Sequence, residues 1–157
     1  MKIALWMIGK TNTACWKEAL EEYRKRLVHY VPFEMVTFPD VKHVRNMPEA
    51  QVKEREGELI LGALQAGDAC VLLDERGMEY TSAEFAAYLG RKMHATSKRL
   101  VFVIGGAYGF GDAIYRAVDE RIALSRMTFS HQMIRPIFTE QLYRAMTILH
   151  NVPYHHA

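Results

Sequence analysis

The chain reads as an α/β protein built on a mainly parallel sheet of five or six strands, with helices on both faces. Three observations predict this. Short apolar runs alternate with stretches of helical periodicity, the order a parallel sheet requires because each crossover carries a helix. The runs are nearly continuous in apolar residues, as in strands buried on both faces. The length, 157 residues, suits a single domain over 1–157 with a sizeable core.

The elements follow in order. Lys2 to Ile8 is the first strand, ended by Gly9. Thr13 can cap a helix that carries Trp16, Leu20, Tyr23 and Leu27 on one face. Phe33 to Phe38 is the second strand. Pro39 to Pro48 is a polar loop holding Lys42, His43 and Arg45, and Glu49 to Gln65 is helical by composition. Ala69 to Leu73 is the third strand, after which Asp74-Glu75-Arg76-Gly77 turns the chain away. Thr81 and Glu84 have the spacing of a capping box before a helix from Ala83 to His94. Leu100 to Ile104 is the fourth strand, Asp112 can cap a short helix to Val118, and Ile122 to Leu124 is the fifth strand. In the last helix, Ile137 to Asn151, Phe138, Leu142, Ala145 and Leu149 share one face. Pro136 suits its first turn, and Glu140 with Arg144 forms a favourable i,i+4 pair.

Composition narrows the function. Half the residues are hydrophobic and about a quarter charged, as in ordinary globular proteins. The opening apolar run is too short for a signal peptide or a membrane span, so the cytoplasm is the expected compartment. Two cysteines, Cys15 and Cys70, give neither a disulfide framework nor zinc spacing, and none of the seven histidines pairs as His-Glu-x-x-His. No metal is expected. Net charge is only +2 but uneven: residues 1–90 hold 11 Lys/Arg against 14 Asp/Glu, and residues 91–157 hold 9 against 4. The basic excess is all arginine around the last loop and helix, from Arg116 to Arg144, which permits an anionic partner such as RNA.

Several familiar chemistries are excluded by spacing. Gly9-Lys10-Thr11 resembles the end of a P-loop, but Ala4 stands where that motif needs glycine. The glycine cluster from Gly105 to Gly111 follows the fourth strand, and no acid stands about twenty residues on, so it is not a dinucleotide fingerprint. No Gly-x-Ser-x-Gly elbow is present. Met127, Met133 and Met146 read as core filling. What remains is a polar, cationic loop without glycine, from Leu124 to His131, between a buried strand and an amphipathic helix. Ligands of open α/β sheets bind outside the carboxyl ends of strands, where this loop lies.

Taken together, Ile104-Gly105-Gly106-Ala107-Tyr108-Gly109, the loop from Leu124 to His131, the Glu140 to Ala145 stretch and the closing Tyr154-His155 resemble the bacterial large-subunit rRNA methyltransferase H family of the SPOUT superfamily. The resemblance extends over nearly the whole chain, including Met1 to Ile3, Tyr23 to Leu27 and the Gly57 region. It implies S-adenosylmethionine as cofactor, N3 of a pseudouridine in 23S rRNA of the ribosome as target, a homodimer, and a C-terminal trefoil knot. It also implies that Leu73, Gly105, Leu124, Ser125, Arg126, Met127, Thr128 and Phe129 bind the cofactor.

For the chemistry, His131 is the candidate to handle the N3 proton, since a histidine of ordinary pKa, about 6.5, is largely neutral at cytoplasmic pH. Arg135 is expected to stabilise charge developing on the base. Arg144, Tyr154 and His155 are the candidate RNA contacts, the aromatic tail being suited to stacking on a splayed nucleotide. Two other readings stand beside this one: a SPOUT enzyme with a different target, such as a ribose 2′-hydroxyl, and a non-catalytic RNA-binding module.

Overall fold

The computed structural model describes residues 1–41 and 47–156. Lys42, His43 and Arg45 of the expected 39–48 loop lie outside them. The elements are β1 (Lys2–Ile8), α1 (Ala14–Leu27), β2 (Phe33–Phe38), α2 (Glu49–Ala63), β3 (Ala69–Glu79), α3 (Ser82–Ala95), β4 (Arg99–Ile104), α4 (Asp112–Ala117), β5 (Arg121–Ala123) and α5 (Ile134–Leu149). The five strands form one sheet in the order β2-β1-β4-β3-β5, with every pairing parallel.

Two cores flank the sheet, and strand alternation assigns each side chain to one of them. Ile3, Leu5 and Met7 of β1 and Phe102 and Ile104 of β4 face α1, α3 and α5, packing on Leu20, Leu27, Leu89, Phe138 and Leu142. Phe138 meets Phe102 with ring centroids 5.0 Å apart. Ala4, Trp6, Ile8, Val101 and Val103 face the other way, onto Ile60 of α2 and Ile114 of α4. Burying one such large side chain contributes roughly 1.5–3 kcal/mol, so continuous apolar runs are what a sheet covered on both sides selects.

Cap chemistry differs in detail from expectation. Thr81 and Glu84 do form the capping box of α3. Thr13 sits at the N-cap of α1 without a side-chain bond. Asp112 does not cap α4: it is the first helical residue, and Gly111 holds the cap position. Helix α5 starts at Ile134, which makes Pro136 its third residue, inside the first turn where no N–H is required.

The larger correction concerns Asp74 to Gly77. The chain leaves the sheet there but is not turned away, because Met78 and Glu79 rejoin β5. Ile122 faces Leu73 and then Met78 across this four-residue excursion. Gly77 allows the return, since a Cβ there would lie 2.6 Å from the backbone of Arg121 and Ile122. From β5, on the sheet edge beyond β3, the chain returns to lay α5 against both α1 and α3. This order of elements is consistent with the expected C-terminal knot.

Candidate active site

The excursion within β3 and the loops after β4 and β5 enclose a cleft of about 460 Å³, within the usual range for small-molecule sites. The β3 side contributes Leu73 and the excursion from Asp74 to Arg76. The β4 side contributes the glycine turn from Gly105 to Phe110. The β5 side contributes Leu124, Ser125, Met127, Thr128, Phe129 and His131. Of the positions expected to hold cofactor, all but Arg126 therefore line one cavity. Arg126 points outward, its side chain 88% exposed and 3.5 Å from Glu79.

Local chemistry explains each wall. Gly109 has φ +79°, a left-handed conformation suited to glycine, and its N–H donates to the Gly106 carbonyl at 3.1 Å. A Cβ on Gly105 would meet Gly109 and the Phe110 ring at 3.3 Å, so this strand end leaves bare backbone facing the cleft. The loop after β5 lacks glycine and is shaped by serines. Ser125 Oγ accepts from Met127 N at 3.0 Å, and Ser130 Oγ accepts from Gln132 N and Met133 N at 3.2 and 3.3 Å. Met127 and Phe129 stay exposed at 78% and 40%. Of the three methionines expected in the core, only Met146 is buried there, while Met127 belongs to the cleft and Met133 is exposed.

Sequence reasoning missed a polar group at the mouth of the cleft. The Tyr115 hydroxyl donates to Asp74, and Arg76 donates to the same hydroxyl at 3.1 Å. Asp74 is 7% exposed and also accepts the Arg76 N–H at 2.8 Å. Asp74 directly follows Leu73, the strand end expected from sequence, and could have been singled out on that ground. Tyr115 comes into view only through the fold.

The two expected catalytic residues touch, but their side chains face different ways. His131 lines the cleft. Burial, and after it the Arg135 charge, hold its pKa below the ordinary histidine value, with Asp40 opposing. Arg135 faces inward and is fully buried. Its guanidinium donates to the carbonyls of Ile8 (2.6 Å) and Gly9 (2.8 Å), to Thr11 Oγ1 (3.0 Å) and to the His131 carbonyl (3.0 Å). Three backbone carbonyls and Thr11 thus take four of its five N–H groups, and the side chain fastens this corner of the fold rather than lining the cleft.

Arg144, Tyr154 and His155 gather away from the cleft lining, on α5 where it packs against α1. Arg144 donates to Glu140 Oε1 at 3.0 and 2.6 Å and to His155 Nδ1 at 3.2 Å, and its guanidinium lies 4.8 Å from the Tyr154 ring centroid. The Tyr154 hydroxyl donates to the same Glu140 oxygen at 3.0 Å, and its ring meets Tyr143 edge-on at 4.7 Å. Burial, first, and bonds to Tyr23 and Glu140 raise the Tyr154 pKa. The tail is thus docked onto its own helix. Among the described residues no cluster of three or more His, Cys, Asp or Glu could hold a metal, and no helix is long and apolar enough to cross a membrane.

A parallel sheet with a glycine-walled cleft at its carboxyl edge, bordered by a loop that feeds the C-terminal helix, is the architecture of a SPOUT-class methyltransferase. The family described as "Predicted SPOUT methyltransferase" matches residues 1–155, and the chain belongs to it. The chain is 64% identical over 156 residues to the ribosomal RNA large subunit methyltransferase H of Parabacteroides distasonis, covering 99% of both chains. It is 56% identical to the protein of that description from Porphyromonas gingivalis and 52% identical to that from Bacteroides thetaiotaomicron, again over 99% of each.

Proposed function

We propose that the chain, as one SPOUT-type domain and as a homodimer, transfers a methyl group from S-adenosylmethionine to N3 of a pseudouridine in the 23S rRNA of the ribosome. The observation that carries this reading is the convergence of Leu73, Gly105, Leu124, Ser125, Met127, Thr128 and Phe129 on one cleft at the strand ends. Their chemistry fits the cofactor. Leu73, Leu124, Met127 and Phe129 offer an apolar slot for the adenine, and the bare backbone at Gly105 and Gly106 admits close approach.

When bound, S-adenosylmethionine supplies an already electrophilic methyl group. The protein then has to align the base and accept its N3 proton. His131 is the acceptor in this reading. Its depressed pKa keeps the imidazole neutral, the form able to take a proton, and the residue lines the cleft. Arg135 is a positioning residue that binds the His131 carbonyl to the end of β1. Arg144, Tyr154 and His155 form the RNA-facing group: a guanidinium over a tyrosine ring beside an imidazole is a surface on which a nucleotide can stack. Arg126, exposed at the rim, contributes charge to RNA rather than a wall to the cofactor.

Nucleoside mass spectrometry of 23S rRNA from a strain lacking the gene tests the reading. The base-methylated pseudouridine should vanish and return on complementation with the wild type but not with His131→Ala. Loss of a ribose-methylated nucleotide instead would point to the 2′-hydroxyl target, and no change in any nucleoside would refute the enzyme reading.

A further inference from the structure

We propose that Glu56 is the counter-charge to the sulfonium of S-adenosylmethionine, and that binding of this cofactor drives a proton off its carboxyl group. The inference rests on the cofactor reading above and adds a residue to it.

Glu56 lies on α2 and is only 7% exposed, and its Oε1 has no hydrogen-bond partner among the described residues. Its carboxyl fills the space a side chain at Gly106 would need. A Cβ on that glycine would sit 2.8 Å from Oε1 and closer still to Oε2. Gly106 itself lines the cleft, so a single glycine stands between this orphan carboxyl and the ligand space. Lys53, one helical turn earlier, reaches the cleft directly.

Among the described residues no cation pairs with Glu56: no salt bridge reaches it, and Lys53 lines the cleft instead. From the end of β2, Asp40 is the charged group that faces Glu56, its own carboxyl filling the equivalent space beside Gly9. Helix α4 presents the aliphatic Ile114 beside Gly57, and the turn after β4 presents backbone. Burial, and then the Asp40 charge, push the Glu56 pKa up to about 7. A buried carboxylate needs a partner of opposite charge, and a cationic ligand in the adjacent cleft is one. When it arrives, Glu56 gives its proton to solvent and becomes the carboxylate. After methyl transfer the sulfur is a neutral thioether, Glu56 takes a proton back, and the product is held less tightly than the substrate cofactor. The device favours exchange of spent cofactor near neutral pH.

Calorimetry with S-adenosylmethionine and S-adenosylhomocysteine, in buffers of different ionisation heat at pH 6.5, reads the proton directly. Wild type should release a large fraction of one proton with the sulfonium ligand and little with the thioether. Its preference for S-adenosylmethionine should rise about tenfold between pH 6 and pH 8. Both effects should disappear in Glu56→Gln. Because His131 also titrates at the cleft, the carboxyl carbon of Glu56 is followed by NMR in wild type as well, which keeps the test valid should the variant fold poorly. Proton release that persists in Glu56→Gln, or a Glu56 resonance unmoved by S-adenosylmethionine, overturns the proposal. A protein that binds neither ligand fails the cofactor reading itself, and this proposal with it.

Discussion

Arg135 Nη2 donates to the carbonyl of Ile8 at 2.6 Å, joining the first turn of α5 to the carboxyl end of β1 across 127 residues of chain. Through the same guanidinium the backbone of Gly9 and of His131 is held as well. Two elements from opposite ends of the sequence are thereby fixed around the cleft. Arg135→Met should lower stability by about 2–4 kcal/mol, because several buried carbonyls lose a charged donor at once. Urea denaturation checks this. Normal stability with methylation lost would instead mean that Arg135 reaches the base.

Gly105→Val should abolish cofactor binding while leaving the fold cooperative. The first added carbon already meets Gly109 and the Phe110 ring at 3.3 Å, both in the cleft wall, so the two methyl groups beyond it crowd that wall. Saturating S-adenosylmethionine should raise the wild-type melting temperature by linkage and leave that of the variant unmoved.

Stability should fall as pH rises through neutrality. Glu56 has a folded-state pKa above its ordinary value, raised from 4.5 to about 7 by burial and then Asp40. Its contribution is fully present below the unfolded value and is lost as pH climbs through about 7. A shift of this size corresponds to on the order of 3 kcal/mol. His131 acts in the opposite sense: its pKa is lowered, so its contribution is lost as pH falls below about 6.5. Ligand-free Glu56→Gln should therefore be less sensitive between pH 6 and 8 and keep the acid-side loss. Melting temperatures across pH 5–9 give both slopes. A wild-type curve flat between pH 6 and 8 would contradict the first.

These residues also show what a sequence discloses. Ile3 to Ile8 reads as a strand because a sheet covered on both faces leaves no position for a polar side chain. Phe138, Leu142 and Ala145 read as the inner face of α5 because helical period and burial coincide. The positions lining the cleft were legible for a different reason, since they follow strand ends and match a family pattern. Arg135 was not legible: an arginine in a polar loop suggests exposure, and its acceptors lie at the far end of the chain. Glu56, between Arg55 and Gly57 in a highly charged helix, reads as solvated until Gly106 is brought against it. Asp74 to Gly77 reads as a turn because the bond to Tyr115 and the close approach of Arg121 are tertiary.

The cleft and the tail cluster make different contacts, so substitutions in them should separate cofactor binding from methyl transfer. Truncation before Tyr154 removes the bond to Glu140 and the edge-on contact with Tyr143, which should cost about 1–2 kcal/mol of stability. Neither Tyr154 nor His155 lines the cleft, so S-adenosylmethionine affinity should stay within about twofold of wild type, a change of ~0.4 kcal/mol. Methylation of ribosomes should fall at least about tenfold, equivalent to ~1.4 kcal/mol of transition-state stabilisation. Arg144→Ala should behave the same way, because Arg144 organises both tail residues. Thr128→Pro should do the reverse. Proline at 128 restricts the preceding Met127, whose N–H is held by Ser125 Oγ in the turn that shapes the loop. Cofactor affinity should drop first, and methylation should recover in part at high cofactor concentration. Measuring S-adenosylmethionine affinity and ribosome methylation for all three proteins in parallel decides the matter. If the truncation and Arg144→Ala lose cofactor affinity as severely as Thr128→Pro, or methylate ribosomes at the wild-type rate, the division between cleft and tail is wrong.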